Sequence, residues 1–296
     1  MMLRRCPGIC AAALVLSMSA VFAADDHVLS IEDLDRAIAL NSNSADTYYD
    51  RGILWVKQGD FTDAISDFTQ TIKINPQDPE AYYSRGNAYA NQRNFTQALA
   101  DYNKVIELNF QDAGVYYNRG LTYAILGDNN QAISDFTQAI KLNPGYAQAY
   151  HNRGISWDKE GDGSQALADL SRSIELDPAD AVAYYNRGIY YDKQGRFIDA
   201  INDFSKAIKL NPDYAEAYIN RGDVYVEQDE FSQARYDFTV AIEINPKIVQ
   251  AYNNRAICYF QLKQYRKAWD DLQKAKESGY VVDPEFIGMV KKELDR

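Results

Sequence analysis

The sequence predicts an all-α fold, a stacked array of helix–turn–helix units, and three observations carry that prediction. A unit of 34 residues repeats seven times without a gap over residues 45–282. A fixed period in this range marks an array in which each unit buries its apolar face against its neighbours. Within a unit, apolar residues recur at helical spacing in two stretches separated by a short polar break. Each unit then closes on a stop such as Asn75-Pro76, Asn143-Pro144, Asp177-Pro178, Asn211-Pro212 or Asn245-Pro246, because Pro cannot continue a helix.

Taken in order, residues 1–23 read as a secretory signal peptide. Arg4 and Arg5 precede an apolar run, and Val21-Phe22-Ala23 gives small-residue spacing for cleavage before Ala24. The competing reading is an uncleaved anchor, since the run from Cys6 to Ala24 is marginally long enough to span a bilayer. Cleavage is the expectation. It places the protein in the periplasm or outside the cell, with no membrane insertion afterwards. Residues 24–44 follow as a half-repeat, with Asp33, Leu34, Ala37 and Ile38 on the places of a second helix whose first helix is missing.

In the seven units of 45–282, the first stretch places Tyr48, Gly52 and Trp55 of the first copy on one helix face. The second stretch does the same for Ala64, Phe68, Thr71 and Ile72. The small residues let two helices approach, and the aromatics fill the space beside them. The Asn before each Pro is expected to end its helix in the left-handed conformation. Phe110 and Gly279-Tyr280 replace the usual stop in the second and seventh units. Residues 283–296 form a capping helix, opened by Asp283-Pro284. Its apolar stripe is Phe286, Ile287, Val290 and Leu294, with Lys291 and Lys292 facing elsewhere. A cap is needed because the end of a stack otherwise exposes its core.

Composition narrows the function classes. Lys plus Arg number 31 against 42 Asp plus Glu, a net charge of -11. No basic stripe exists to neutralise phosphates, which argues against nucleic acid and against an anionic membrane surface. Cys6 and Cys10 leave with the signal, so Cys258 remains alone and packing must hold the array together. His27 and His151 lie more than three units apart and cannot share a metal or a catalytic triad. The Gly residues recur once per unit for packing and form no phosphate loop. No converging catalytic groups can be assembled, so the expectation is a non-enzyme with no cofactor and no metal.

The recurring residues resemble the tetratricopeptide repeat family. Arg is followed by Gly52, Gly86, Gly120, Gly154, Gly188, Gly222 and Ala256, and the second helix carries Ala64, Ala98, Ala132, Ala166, Ala200, Ala234 and Ala268. The resemblance spans residues 45–282. It implies a right-handed superhelical solenoid whose first helices line a concave groove, used to bind protein or peptide. The family's carboxylate clamp needs Lys and Arg along the groove. The matching places here hold Tyr83, Asn87, Asn118, Gln148 and Asn152, so that ligand class is rejected.

Two regular polar series remain. Arg51, Arg85, Arg119, Arg153, Arg187, Arg221 and Arg255 recur in step with Asp67, Asp101, Asp135, Asp169, Asp203, Asp237 and Asp271. Equal opposite charges in fixed register suit ion pairs between helices better than a ligand stripe. The resemblance points Tyr83, Tyr117, His151, Ile155, Tyr185 and Ile189 into the groove. Asn118, Asn152, Asn186, Asn220 and Asn254 each precede the Arg of their unit, and an amide there matches either a peptide backbone or a bond within the array. Asp223 is among the acidic groups beside them, which favours a partner with basic residues. The expectation is a non-enzymatic scaffold that binds a protein or peptide segment, as an envelope adaptor or assembly factor. The alternatives are a structural self-assembling array and a glycan- or peptidoglycan-binding accessory protein.

Overall fold

The computed structural model describes residues 29–296, and the signal-peptide reading of residues 1–23 lies outside them. The described chain is helical throughout and divides into two compact units. The amino-terminal unit, to Asp162, holds α1 (Ile31–Leu40), α2 (Ala45–Gln58), α3 (Phe61–Ile74), α4 (Pro79–Asn91), α5 (Phe95–Glu107), α6 (Ala113–Leu126), α7 (Asn129–Leu142) and α8 (Ala147–Lys159). The carboxy-terminal unit, from Gly163, holds α9 (Gly163–Leu176), α10 (Ala181–Lys193), α11 (Phe197–Leu210), α12 (Ala215–Glu227), α13 (Phe231–Ile244), α14 (Val249–Gln261), α15 (Tyr265–Glu277) and α16 (Pro284–Leu294).

Within each unit consecutive helices pack as helix–turn–helix pairs, and each first helix also touches the next first helix. Close approach depends on the Gly after each Arg. A Cβ at Gly52 would sit 2.6 Å from the Phe68 ring, and one at Gly188 would sit 2.8 Å from Phe204. The aromatic therefore fills the volume the missing side chain leaves. Around these contacts the amino-terminal unit buries Ala90, Ala98, Tyr102, Val105 and Val115 as one cluster. The carboxy-terminal unit buries Tyr185, Ala200, Phe204, Ala207 and Tyr214 in another.

Helix ends follow from local chemistry, with one correction. Asp60, Asp78, Asp112 and Asp180 cap helix starts by accepting bonds from exposed backbone N–H groups. The Asn before Pro does not take the left-handed conformation expected of it. Asn75, Asn143, Asn211 and Asn245 have φ of -124, -133, -133 and -138. The following Pro explains all four, since its ring crowds an α-region neighbour and drives it extended. Each Asn Oδ1 then accepts a backbone N–H two residues on, as at Asn143 to Gly145 (3.1 Å) and Asn245 to Lys247 (3.1 Å). Left-handed ends lie at the turn inside a repeat, at Gly59 (φ 81) and Gly127 (φ 84), and after a second helix where no Pro follows, at Asn109 (φ 59) and Gly279 (φ 84). Arg93 (φ 61), Asp229 (φ 58) and Lys263 (φ 58) hold the same turn in other repeats at a conformational cost.

The two flanks pack onto their neighbours. α1 buries Leu34, and Asp35 meets the Arg51 guanidinium of α2 at 2.6 Å. α16 begins at Asp283, which accepts from Glu285 N, and buries Phe286 and Val290 beside Leu272. Lys291 turns back over the Trp269 ring of α15, 5.2 Å from its centroid, rather than facing away.

Candidate functional site

The Arg–Asp series is an internal ladder. In the amino-terminal unit Arg85 donates Nε and Nη2 to the two carboxylate oxygens of Asp101 at 2.8 and 2.7 Å. Arg119 does the same to Asp135 at 2.7 and 2.6 Å. In the carboxy-terminal unit Arg187 grips Asp203, Arg221 grips Asp237 and Arg255 grips Asp271 in the same way. The remaining Nη1 reaches back to the preceding second helix, to Thr69 from Arg85 and to Ser205 from Arg221. Each of these guanidinium groups also stacks on the Tyr one turn earlier, such as Tyr82 and Tyr218. Burial raises the carboxyl pKa of Asp101, Asp135 and Asp237 above the ordinary value, and the paired Arg opposes that rise. These charges are spent inside the array.

The Tyr and Asn series meet each other. The Asn118 amide donates to the Tyr83 hydroxyl at 2.9 Å, and Asn152 donates to Tyr117 at 3.0 Å. In the carboxy-terminal unit Asn220 donates to Tyr185 at 2.9 Å. Each bond joins one repeat to the next. The rings lean on the aromatic of their own second helix, Tyr117 on Phe136 (5.8 Å) and Tyr185 on Phe204 (5.9 Å). Burial holds the Tyr83 and Tyr117 hydroxyl pKa values above normal.

These contacts move several expected groove residues into the interior. Tyr185 is 0% exposed, and Tyr214 covers its ring at 4.7 Å. Asn118, Asn186, Asn220, Asp223 and His151 are buried as well. Asn118 also donates to Asn87 Oδ1, which accepts from the Tyr102 hydroxyl. Asp223 accepts from Asn254 at 2.8 Å. The reason is register: the hydroxyl of one repeat sits where the amide of the next must point, so the amides close repeat interfaces. Tyr83, Tyr117, Asn152 and Ile155 in the amino-terminal unit, and Ile189 in the carboxy-terminal unit, stay partly exposed. So do Ile53 and Leu121, on the same register as Ile155.

Sequence reasoning missed Asn87 and Tyr102 as partners in this network. It also missed the exposed pair Ile125 and Leu126 at the end of α6. The signal was present: both places are apolar there, whereas every other repeat is polar at one or both. Cys258 is buried, and burial, with Asp223 next, pushes its thiol up to about 12. It acts as a small apolar filler. Among the described residues, no three His, Cys, Asp or Glu side chains are grouped to hold a metal ion. No described helix is long and apolar enough to cross a membrane.

Comparisons with known proteins agree with this architecture. Family models described as Tetratricopeptide repeat match residues 79–112, 113–146 and 181–214, residues 19–85, and residues 204–236 and 238–270. None of the curated proteins matches by sequence. Among solved structures, MamA is 27% identical, with a TM-score of 0.53 over 56% of this chain and 96% of its own. YrrB, described as a TPR protein with an unusual peptide-binding site, is 24% identical, with a TM-score of 0.56 over 64% of this chain and 97% of its own. A tetratricopeptide repeat protein from Parabacteroides merdae ATCC 43184 is 19% identical, with a TM-score of 0.61 over 85% of this chain and 99% of its own. The last two share the fold alone.

Proposed function

The chain belongs to the tetratricopeptide repeat family, and on that premise we propose that it is a non-enzymatic scaffold gripping a protein or peptide segment on its first helices. One observation carries this reading. The regular Arg, Asp, Tyr and Asn residues bond to one another, while Ile53, Leu121 and Ile155 of the amino-terminal unit and Ile189 of the carboxy-terminal unit remain partly exposed. Aliphatic side chains held on rigid helices and backed by buried aromatics give low-entropy contact area for a partner. The acidic balance of the chain favours basic residues in that partner and speeds its approach at low salt.

The proposal extends to place. If residues 1–23 are removed on export, the scaffold works in the periplasm or outside the cell, as an adaptor or assembly factor of an envelope complex. The test is a pull-down from an envelope extract, with wild type and a variant carrying Ile155→Glu and Ile189→Glu. Both substitutions fall on partly exposed sites, so the array should still fold, checked by its melting curve. A protein retained by wild type and lost by the variant supports the reading. The same proteins on both baits, or none on either, contradicts it.

A further inference from the structure

α1 stands at the place of a second helix and packs on α2. Its outward side differs from that of α3, α5 and α7 in the same unit. Asp33 holds the ladder place, 34 residues ahead of Asp67. The side chains of Asp67, Asp101 and Asp135, each gripped by an Arg, are at most 7% exposed. That of Asp33 is 46% exposed. One unit ahead of Arg51 the sequence carries Ser17, so the ladder place supplies no guanidinium to α1. Leu40 is 90% exposed, while its equivalents Ile74, Leu108 and Leu142 are no more than 39% exposed. Leu29, just ahead of the Ser30 cap, is 51% exposed at a place where the next three repeats carry Asp63, Gln97 and Gln131.

These residues form one line. Asp33, Arg36 and Leu40 follow at helical spacing on one face of α1, and Leu29 stands four residues ahead of Asp33. Arg36 lies 3.6 Å from Asp33, and its side chain is 74% exposed, so its guanidinium can reach a second carboxylate. The order Leu, Asp, Arg, Leu has intervals of four, three and four, the same in either direction. A copy laid antiparallel therefore sets Leu29 opposite Leu40 and Asp33 opposite Arg36. Both contacts occur twice about a two-fold axis, as a self-complementary surface requires. The remaining charges of α1 do not oppose each other in this register. Asp35 is bonded to Arg51 at 2.6 Å, and Glu32 falls opposite Ala37.

We infer that the chain pairs with a second copy of itself through α1, antiparallel about a two-fold axis. The Leu contacts remove from water hydrocarbon that a single copy leaves exposed. The reciprocal Asp33–Arg36 pairs fix register and direction. Two helices of 10 residues cover less than the roughly 1,200 Å² of a stable complex. The pair is therefore weak and reversible, with a Kd between about 1 μM and 1 mM. It is also closed, because the two-fold contact uses the same surface on both copies and leaves none to extend an array. Two scaffolds joined in this way raise the avidity for any partner with two sites. The inference is independent of what the first helices bind.

Sedimentation velocity on the purified chain, from about 1 μM to about 1 mM, tests the pairing. Wild type should pass from monomer to dimer within that range. Leu40→Gln alters a side chain that packs little within its own copy, and should weaken the dimer about tenfold or more. Arg36→Glu sets like charges opposite each other, and Asp33→Lys does so from the other side, so each variant alone should stay monomeric. Mixing those two variants puts opposite charges together at both places and should restore a mixed dimer. Asp33 also accepts a bond from Ser30 N at the cap, so melting curves check that its variant folds; Leu40→Gln tests the pairing without touching that cap. A wild type that stays monomeric throughout overturns the inference, as does a Leu40→Gln dimer of undiminished strength. A wild-type dimer with no mixed dimer from the two charge variants overturns the antiparallel register.

Discussion

Replacing Arg221 by Met keeps much of the side-chain volume and removes its charge. In the structure Arg221 donates to both oxygens of Asp237 at 2.8 Å and to Ser205 Oγ at 2.8 Å, and it stacks on Tyr218 and Tyr225. Asp237 is 1% exposed. Without the guanidinium, that carboxylate keeps its desolvation cost and loses the attraction that offsets it. Breaking a buried pair from one side costs about 3–5 kcal/mol. Arg221 itself is only partly buried, so water reaches the vacated space and the lower end, about 3 kcal/mol, applies. The sign of the pH dependence follows. Burial already raises the Asp237 pKa, and Arg221 is what lowers it; removing Arg221 lets it rise further. A raised folded pKa stabilises fully below the ordinary carboxylate value and ceases to do so as pH climbs through the folded value. The deficit should therefore be largest near neutrality and shrink on acidification. Urea unfolding of wild type and variant at about pH 7 and about pH 5 measures both effects. Adding Asp237→Leu should recover most of the loss, because the orphaned charge is gone. A pH-independent cost under about 1 kcal/mol would refute the reasoning, as would a double variant no better than the single one.

Three further outcomes are expected. Gly127→Ala should cost about 1–2 kcal/mol, since φ is 84 there and nothing crowds a Cβ, whereas Lys263→Gly should gain about 1 kcal/mol at φ 58; thermal melting of both variants reads the two signs. Tyr185→Ala should lose about 3–5 kcal/mol by emptying a fully buried site, while Tyr185→Phe should lose about 1 kcal/mol with the Asn220 bond and leave partner binding unchanged. Intact mass of the protein recovered from the soluble periplasm should show a start at Ala24, and a chain retained in membranes with residues 1–23 attached would favour an anchor.

The repeat period made the fold legible, because each unit states the same packing problem and solves it with the same Gly, Ala and aromatic residues. The ion-pair ladder was legible for a related reason: Arg and Asp recur in equal number at one offset. The Asn ladder was not. Its amides suited a peptide backbone and a neighbouring hydroxyl equally well, and only geometry shows Asn152 reaching Tyr117 and Asn220 reaching Tyr185. The 35-residue offset between those partners, one repeat plus one residue, was open to reading in the sequence. Tyr185 was misplaced because helical periodicity gives a face and not the depth to which neighbours cover it; Tyr214 folds over it from the far end of the same repeat, at the start of α12. The Asn helix ends were misread because the residue preference was weighed without the constraint from the Pro that follows.

The central claim, that a protein partner sits on the first helices, is tested most directly by site-specific photocrosslinking with the captured partner. A benzophenone amino acid at Ile155 or Ile189 reports the first helices, and one at Tyr236, which is 62% exposed on the second helix α13, reports the other surface. The account predicts partner adducts from positions 155 and 189 and none from position 236. Adducts from position 236 alone would contradict it.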